Sequence, residues 1–300
     1  MDKVTLGIIG GSGLYSMPGL QETQQLDLTT PFGKPSAPVA VGLLEGVRTA
    51  FLARHGIGHT ISPAEINFRA NIYALKFLGV ERIVSISAVG SLREDYVPGD
   101  IAIPDQLLDF TRGRVGTFFE GGLVAHVGVA DPFCEDLSQR VYRAVRAAQM
   151  QNAGTATHRG GAMITIQGPR FSTKAESNVY RSWGMSLIGM TAAPEAFLAR
   201  EAEICYAVMA HVTDYDVWHV NEQPVTVDMV IETINKNTTI AQAALVNLAR
   251  DLNPETTTSI SLERACECPH ALATALITSQ SMIPDATRQR LGLFIDKYLA

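Results

Sequence analysis

A chain of 300 residues with 46% hydrophobic and 18% charged residues has the make-up of an ordinary globular protein with a large core. Its net charge of −6 provides no basic face for a nucleic-acid backbone, and no apolar stretch is long enough to span a bilayer. The stretch from Met1 to Gly10 lacks the long apolar region and cleavage site of a signal peptide, so a reducing cytoplasm is the expected compartment, with the nucleus open as a second.

In chain order, Val4–Ile9 reads as the first strand and Thr49–Ala53 as part of an early hairpin or meander. Ser62-Pro63-Ala64-Glu65 has the form of a capping box with proline at the first helical position, which predicts a helix towards Leu78. Arg82–Ile86 is a buried strand, and Asp131-Pro132 opens a helix through about Gln149, with Val141, Val145 and Ala148 on one face. Met163–Gln167 is a strand, Thr173-x-x-Glu176 caps the next helix, and Ser186–Ile188 and Ile204–Val212 are strands on either side of a helix from about Ala193. A long helix from about Val227 to Leu252 is stopped by Asn253-Pro254, and helical patterns follow at about Leu262–Ile277 and Asp285–Tyr298. Strands alternating with helices define an α/β fold, with one domain over residues 1–300 and a helical C-terminal appendage from residue 255.

Chemistry concentrates where the strands end. Ile204–Val212 runs into Thr213-Asp214-Tyr215-Asp216, and residues two apart on an extended segment face the same side, so both carboxylates point to one place. Two acids there can accept N–H donors or hold a proton, and a solvated loop is an equal alternative on residue types alone. Gly10-Gly11-Ser12-Gly13, Arg54-His55-Gly56, Ser87-Ala88-Val89-Gly90-Ser91 and Met190-Thr191 follow other strands and offer backbone donors, hydroxyls and charge suited to an oxyanion. A dinucleotide fingerprint fails at Ser16, and no Walker loop is present. His55 and His59 have the spacing of a zinc pair but have glycines between them and lack the glutamate of a metalloprotease. Of the four cysteines, Cys134, Cys205, Cys266 and Cys268, Cys205 lies in an expected core strand, which argues against a disulfide framework and for a reducing compartment. Cys266-x-Cys268-x-His270 lacks a second arm for a metal and reads as structural or surface residues.

Together these segments resemble one family. Gly10-Gly11-Ser12-Gly13-Leu14, Thr30-Pro31-Phe32-Gly33-Lys34-Pro35-Ser36, Ala53-Arg54-His55-Gly56, Gly90-Ser91-Leu92-Arg93-Glu94, Gly168-Pro169-Arg170-Phe171-Ser172 and Thr213-Asp214-Tyr215-Asp216-x-Trp218 resemble, in order, the 5′-methylthioadenosine phosphorylases, the trimeric branch of the nucleoside phosphorylases. The resemblance runs from about residue 5 to 250 and weakens beyond. It implies a twisted mixed β-sheet flanked by helices, a homotrimer, nucleoside and inorganic phosphate as substrates, and no metal or organic cofactor.

The same resemblance implies roles by position. Ser12, Arg54, His55, Ser87, Ala88 and Thr191 would hold phosphate, with serine at 12 and 87 where threonine is usual. Met190 and Ala88 would meet the ribose, Phe171 would stack on the purine, Asp214 would donate a proton at N7, and Asp216 would hold the 6-amino edge. Val227, Val230 and Ile231 would line a 5′-thioalkyl pocket with His126 of a neighbouring subunit, while Gln289 and the last helix receive no role. Ordinary readings stand beside these: a core methionine, a buried phenylalanine, a solvated histidine and the apolar face of a helix. The competing functions are a purine nucleoside phosphorylase acting on adenosine or inosine, a nucleotide-binding module without catalysis, and a dinucleotide-dependent oxidoreductase.

Overall fold

The computed structural model describes residues 3–10, 17, 19–150, 155–220, 226–253, 255, 257 and 266–299; the side chains of 227, 229–232 and 234–236 lie outside that description. The elements in chain order are β1 (Leu6–Gly10), β2 (Gln21–Leu26), β3 (Val39–Leu44), β4 (Val47–Ala53), α1 (Phe68–Phe77), β5 (Arg82–Ser91), β6 (Ile101–Ile103) and β7 (Gln106–Phe110). They continue with α2 (Glu135–Gln149), β8 (Thr157–Arg159), β9 (Ala162–Ile166), α3 (Lys174–Ser182), β10 (Leu187–Gly189), α4 (Ala192–Glu201), β11 (Cys205–Asp214), α5 (Val227–Leu252) and α6 (Asp285–Ile295). The strands form one mixed sheet in the order β2-β3-β4-β1-β5-β10-β9-β7, and β11 joins it by pairing with β5 and with β6, which in turn pairs β8.

β5 and β11 organise the sheet. Both are ten residues long, and they run parallel from Cys205↔Arg82 to Asp214↔Gly90. Tyr206, Val208, Ala210 and Val212 of β11 enter one core layer, while Cys205, Ala207 and Met209 enter the other. Burial on both faces explains why β11 reads as a continuous apolar run rather than an alternating one. The first layer is filled from α1, α4 and α6, the second from α2 and α5.

On its other side β5 changes partner. β1 pairs with Arg82–Ser85 in parallel, and β10 pairs antiparallel with Gly90 and Ser91. Between them, residues 86–89 have no strand neighbour on that side among the described residues, and Ala88 is exposed in an otherwise buried strand. Such a divergence at the carboxyl ends of parallel strands leaves a crevice for ligands.

Three sequence expectations need correction. Ser62 and Glu65 do pair, with Ser62 N and Oγ both donating to Glu65 Oε2 at 3.2 and 2.6 Å, but Glu65 N donates to the Ser62 carbonyl and not to its hydroxyl, which closes a turn. The helix begins later, at Phe68, where Asn67 Oδ1 accepts from Ala70 N. The stretch expected to be helical over Leu262–Ile277 contains, in its described part, only a 3-10 turn at Cys268–His270 and further turns. Pro269 removes a donor there, and the following backbone bonds outward: Leu272 N to the Glu203 carboxylate, Ile277 N to Val124 O, and His126 N to Ala275 O. The C-terminal residues are also more than an appendage, because Leu272, Ala275, Ile283, Leu291, Phe294, Ile295 and Leu299 are part of the first core layer.

Candidate active site

The crevice beside residues 86–89 gathers most of the expected site residues. Ser87 is buried, and its hydroxyl has no hydrogen-bond partner among the described residues. A buried hydroxyl left so is costly unless a ligand or water meets it. Thr191 is buried at the start of α4, and its side chain makes no capping bond to that helix. Gly10 ends β1 next to Arg54, whose backbone N–H donates to Gly10 O at 3.0 Å; Ser12 lies outside the described residues.

Arg54 is 1% exposed and held from every direction. Nε and Nη2 donate to the two oxygens of Glu195 at 2.9 and 3.0 Å, Nη1 to Ile86 O at 3.1 Å, and Nη2 also to Ser85 Oγ at 2.6 Å. Tyr206 donates its hydroxyl to the same Glu195 at 2.7 Å. A bidentate pair of this kind fixes a guanidinium that would otherwise be too costly to bury. The Nη1 bond to Ile86 O sets its charge under the residue that precedes Ser87. His55 follows Arg54, and its Nδ1 lies 2.9 Å from Ile61 O, so the neutral ring donates from Nδ1 and leaves Nε2 as an acceptor. Burial, then the neighbouring Arg54 charge, lowers its pKa to about 4. His55 and His59 stack at 4.3 Å between ring centres, which makes them a stacked pair of rings.

At the far end of β5 stand the two acids, though not by strand alternation. β11 carries a bulge between Val212 and Asp214 and ends at Asp214, and Asp216 has a positive φ of 51°. Instead, Asp216 N donates to Asp214 Oδ1 at 2.7 Å, while Thr213 Oγ1 donates to Asp214 Oδ2 at 2.7 Å. The turn still brings both side chains to Gly90, where a Cβ would lie 3.0 Å from Asp214 Oδ1 and 3.3 Å from Asp216 Cβ. Burial raises the pKa of Asp214 to about 6 against those two donors, and the Asp216 charge adds to the rise. Asp216 is raised too, by burial first, with Ser177 and Ser172 opposing. Their hydroxyls and Asp216 Oδ2 nevertheless lack partners within hydrogen-bonding geometry among the described residues, so this edge presents an acceptor and two hydroxyls.

The acid turn is anchored by Trp218. Its Nε1 donates to Ser91 O at 2.7 Å, and the Arg181 guanidinium lies 3.3 Å from its ring centre. Met190, directly after β10, packs against Gly168, where a Cβ would fall 2.6 Å from Met190 Sδ. Arg114 ties these loops together by donating to Met190 O, Ala193 O and Gln167 O, each at 2.8 Å. Phe171 is 38% exposed beside them. His126 is exposed on the surface of the chain, away from the strand ends in sequence, with its backbone bonded to Ala275. Val227, Val230 and Ile231 fall on the first turns of α5, and their side chains lie outside the described residues.

Glu195, Arg114 and Ser177 carry no mark in the sequence motifs, while Gly90 and Ser172 stand in those motifs without a role of their own. Glu195 carries a usable signal, an acid inside the apolar stretch Ala192–Leu198 that has to find a cation. Arg114 and Ser177 give none before the loops are folded together. Conversely, Cys266 and Cys268 do gain the second arm that the sequence lacks, because Cys134 and Cys205 meet them.

The Phosphorylase superfamily profile matches residues 5–250. The S-methyl-5′-thioadenosine phosphorylase of Geobacter sulfurreducens is 52% identical over 300 residues, covering 100% of both chains. That of Koribacter versatilis is 50% identical over 296 residues, covering 99% of this chain and 97% of its own. The chain belongs to the methylthioadenosine phosphorylase family. Among solved structures, a methylthioadenosine phosphorylase from an antarctic soil metagenomic library superposes with a TM-score of 0.89 at 44% identity, covering 98% of this chain and 100% of that one. The methylthioadenosine phosphorylase of Schistosoma mansoni in complex with adenine gives a TM-score of 0.82 at 36% identity, covering 93% of this chain and all of its own. As in those members of the methylthioadenosine phosphorylase family, the fold is a mixed sheet flanked by helices.

Proposed function

We propose that this chain catalyses the phosphate-dependent cleavage of S-methyl-5′-thioadenosine, releasing adenine and 5-methylthioribose 1-phosphate, in the cytoplasm. The observation that carries this reading is a buried carboxyl at Asp214 with a pKa of about 6, at the end of a crevice whose other end holds Arg54, His55 and the unpartnered Ser87 hydroxyl. The family membership supports it, since relatives at about half identity over their whole length carry that name.

In this reading a phosphate oxygen forms the bond to ribose C1′ as the C1′–N9 bond breaks, with its electron pair leaving on the purine. Positive charge builds on the sugar and negative charge on the base. Phosphate below the ring offsets the first, and the Asp214 proton, delivered at N7, neutralises the second. Ser12, Ser87 and Thr191 supply hydroxyl donors to phosphate, and the fixed Arg54 charge favours the anion. His55 Nε2 accepts the hydrogen of a monoprotonated phosphate. Asp216 accepts from the 6-amino group, a contact that a 6-oxo group would turn into repulsion. Ala88 and Met190 border the ribose, and Phe171 covers the base. Val227, Val230 and Ile231 receive the methylthio group together with His126 of a neighbouring copy in a homotrimer. Phosphate is a co-substrate, and the reaction calls for no organic cofactor or catalytic metal.

The test is product release from methylthioadenosine, adenosine and inosine, each with and without phosphate. Adenine should appear only with phosphate and fastest from methylthioadenosine. A preference for inosine, or phosphate-independent release, would overturn the assignment.

A further inference from the structure

Far from the crevice, four cysteines from three parts of the chain converge. Cys134 precedes α2, Cys205 is the first residue of β11, and Cys266 and Cys268 come from the C-terminal segment. All four sulfurs lie within 4.8 Å of one another, and those of Cys205 and Cys266 are 3.4 Å apart. None is in a disulfide. Four thiolates around one zinc ion at about 2.3 Å stand about 3.8 Å apart at the corners of a tetrahedron, which is the scale of this cluster.

We propose that Cys134, Cys205, Cys266 and Cys268 form a closed tetrathiolate site for a single zinc ion that fastens the C-terminal segment to the sheet. Three of the sulfurs belong to buried residues and the fourth to a half-buried one, so no open coordination position faces solvent, as suits a structural rather than a catalytic ion. Four thiolates and one divalent ion carry excess negative charge, which the surroundings moderate. The Cys268 backbone N–H faces the Cys266 sulfur, the Arg200 guanidinium acts on Cys268, and the Cys134 side chain sits at the N-terminus of the fifteen-residue helix α2 without a capping bond of its own. Glu135 and Asp136 in the first turn of α2 oppose this but leave the ligand set unchanged. His270, although close in sequence, is exposed and not among the converging groups.

The ligand set explains what a metal would do. Cys205 and Asp214 are opposite ends of β11, about 30 Å apart along an extended strand, so the ion takes no part in the reaction. It would tie the residues before Leu272 and α6 to the start of the strand that carries the acid. Zinc fits better than calcium or magnesium because all four donors are sulfur.

The test is metal analysis of the untagged protein purified without chelators, followed by cobalt substitution. One zinc per chain is expected, and the cobalt form should show the intense sulfur-to-cobalt charge-transfer band and the visible bands of a tetrahedral tetrathiolate. The double variant Cys266→Ser/Cys268→Ser should lose the stoichiometric metal and melt at a lower temperature. Four alkylatable thiols without metal, a mass showing disulfides, or zinc retained by the double variant would each overturn the proposal. If the double variant does not fold, the cobalt spectrum of the wild-type protein decides, because a coordination sphere with fewer than four sulfurs refutes the site.

Discussion

Asp214 combines three features that rarely meet in one carboxyl: near-complete burial, two hydrogen-bond donors to its ionised form, and a second acid two residues on. Burial outweighs the donors, so the group carries a proton within reach of neutral pH. Asp214→Asn is therefore expected to lower kcat for adenine release by about 10²–10⁴, the range of a lost general acid. The wild-type rate should fall on the alkaline side with an apparent pKa of about 6 or above, and this limb should vanish in the variant. An unchanged profile in Asp214→Asn would remove the acid role. Gly90 matters through what it lacks. A methyl group there would stand 2.9 Å from Ile188 Cγ2 and 3.0 Å from Asp214 Oδ1, so Gly90→Ala should cost about 1–3 kcal/mol of stability and displace the acid turn. Its kcat should drop while the protein remains folded, and wild-type turnover would show that the acids tolerate the shift. The acids were legible in the sequence as a pair at a strand end. Their geometry was not, because a bulge at Thr213 and a positive φ at Asp216 replace simple alternation, and neither leaves a mark in residue types.

Among the elements, β11 was readable because burial on both faces makes its sequence a nearly continuous apolar run, whereas in β5 only the start, Arg82–Ile86, reads as a strand because serines and a glycine follow. The capping-box pattern at Ser62 misled because only half of the exchange forms: the Glu65 carboxylate accepts from Ser62 N, but the Ser62 hydroxyl donates to that carboxylate and Glu65 N bonds to Ser62 O, which closes a turn. Similarly, the pattern over Leu262–Ile277 has helical spacing, but Pro269 and long-range bonds at Leu272, Ala275 and Ile277 use the backbone otherwise. The join between α4 and β4 was invisible for a different reason. Arg54 and Glu195 are 141 residues apart, and only the folded sheet brings them to 2.9 Å. Breaking one side of such a pair strands a buried charge. Glu195→Gln should therefore lower stability by about 3–5 kcal/mol, read as a lower denaturant midpoint with unchanged slope. A change below about 1 kcal/mol would mean that the Ile86 and Ser85 contacts suffice to hold Arg54.

For the molecule as a whole, the buried titratable groups oppose one another. His55 and His211 each have pKa values of about 4 in the fold, lowered first by burial, so below the ordinary value of 6.5 the unfolded chain binds two protons that the folded chain refuses. This makes stability fall as pH drops from 6.5 towards 4. Asp214 at about 6 and Glu201 at about 7 work the other way, since the folded chain binds protons there that the unfolded chain does not, and stability is lost as pH rises through those values. Between about pH 5 and 6 the two imidazoles oppose these carboxyls and Asp216, which burial also raises, so the unfolding free energy of the wild-type protein should vary less with pH than either set alone would make it. Asp214→Asn removes one of the opposing terms. Relative to the wild type, its unfolding free energy should then decline on acidification with a slope steeper by up to about 1.4 kcal/mol per pH unit in that window, while at pH 8 the variant is relieved of a buried charge worth up to about 3 kcal/mol. Denaturant titrations of both proteins at pH 5, 6 and 8 measure this. Parallel curves for the two would show that Asp214 ionises alike in the folded and unfolded chain, and the acid assigned to N7 would lose its physical basis.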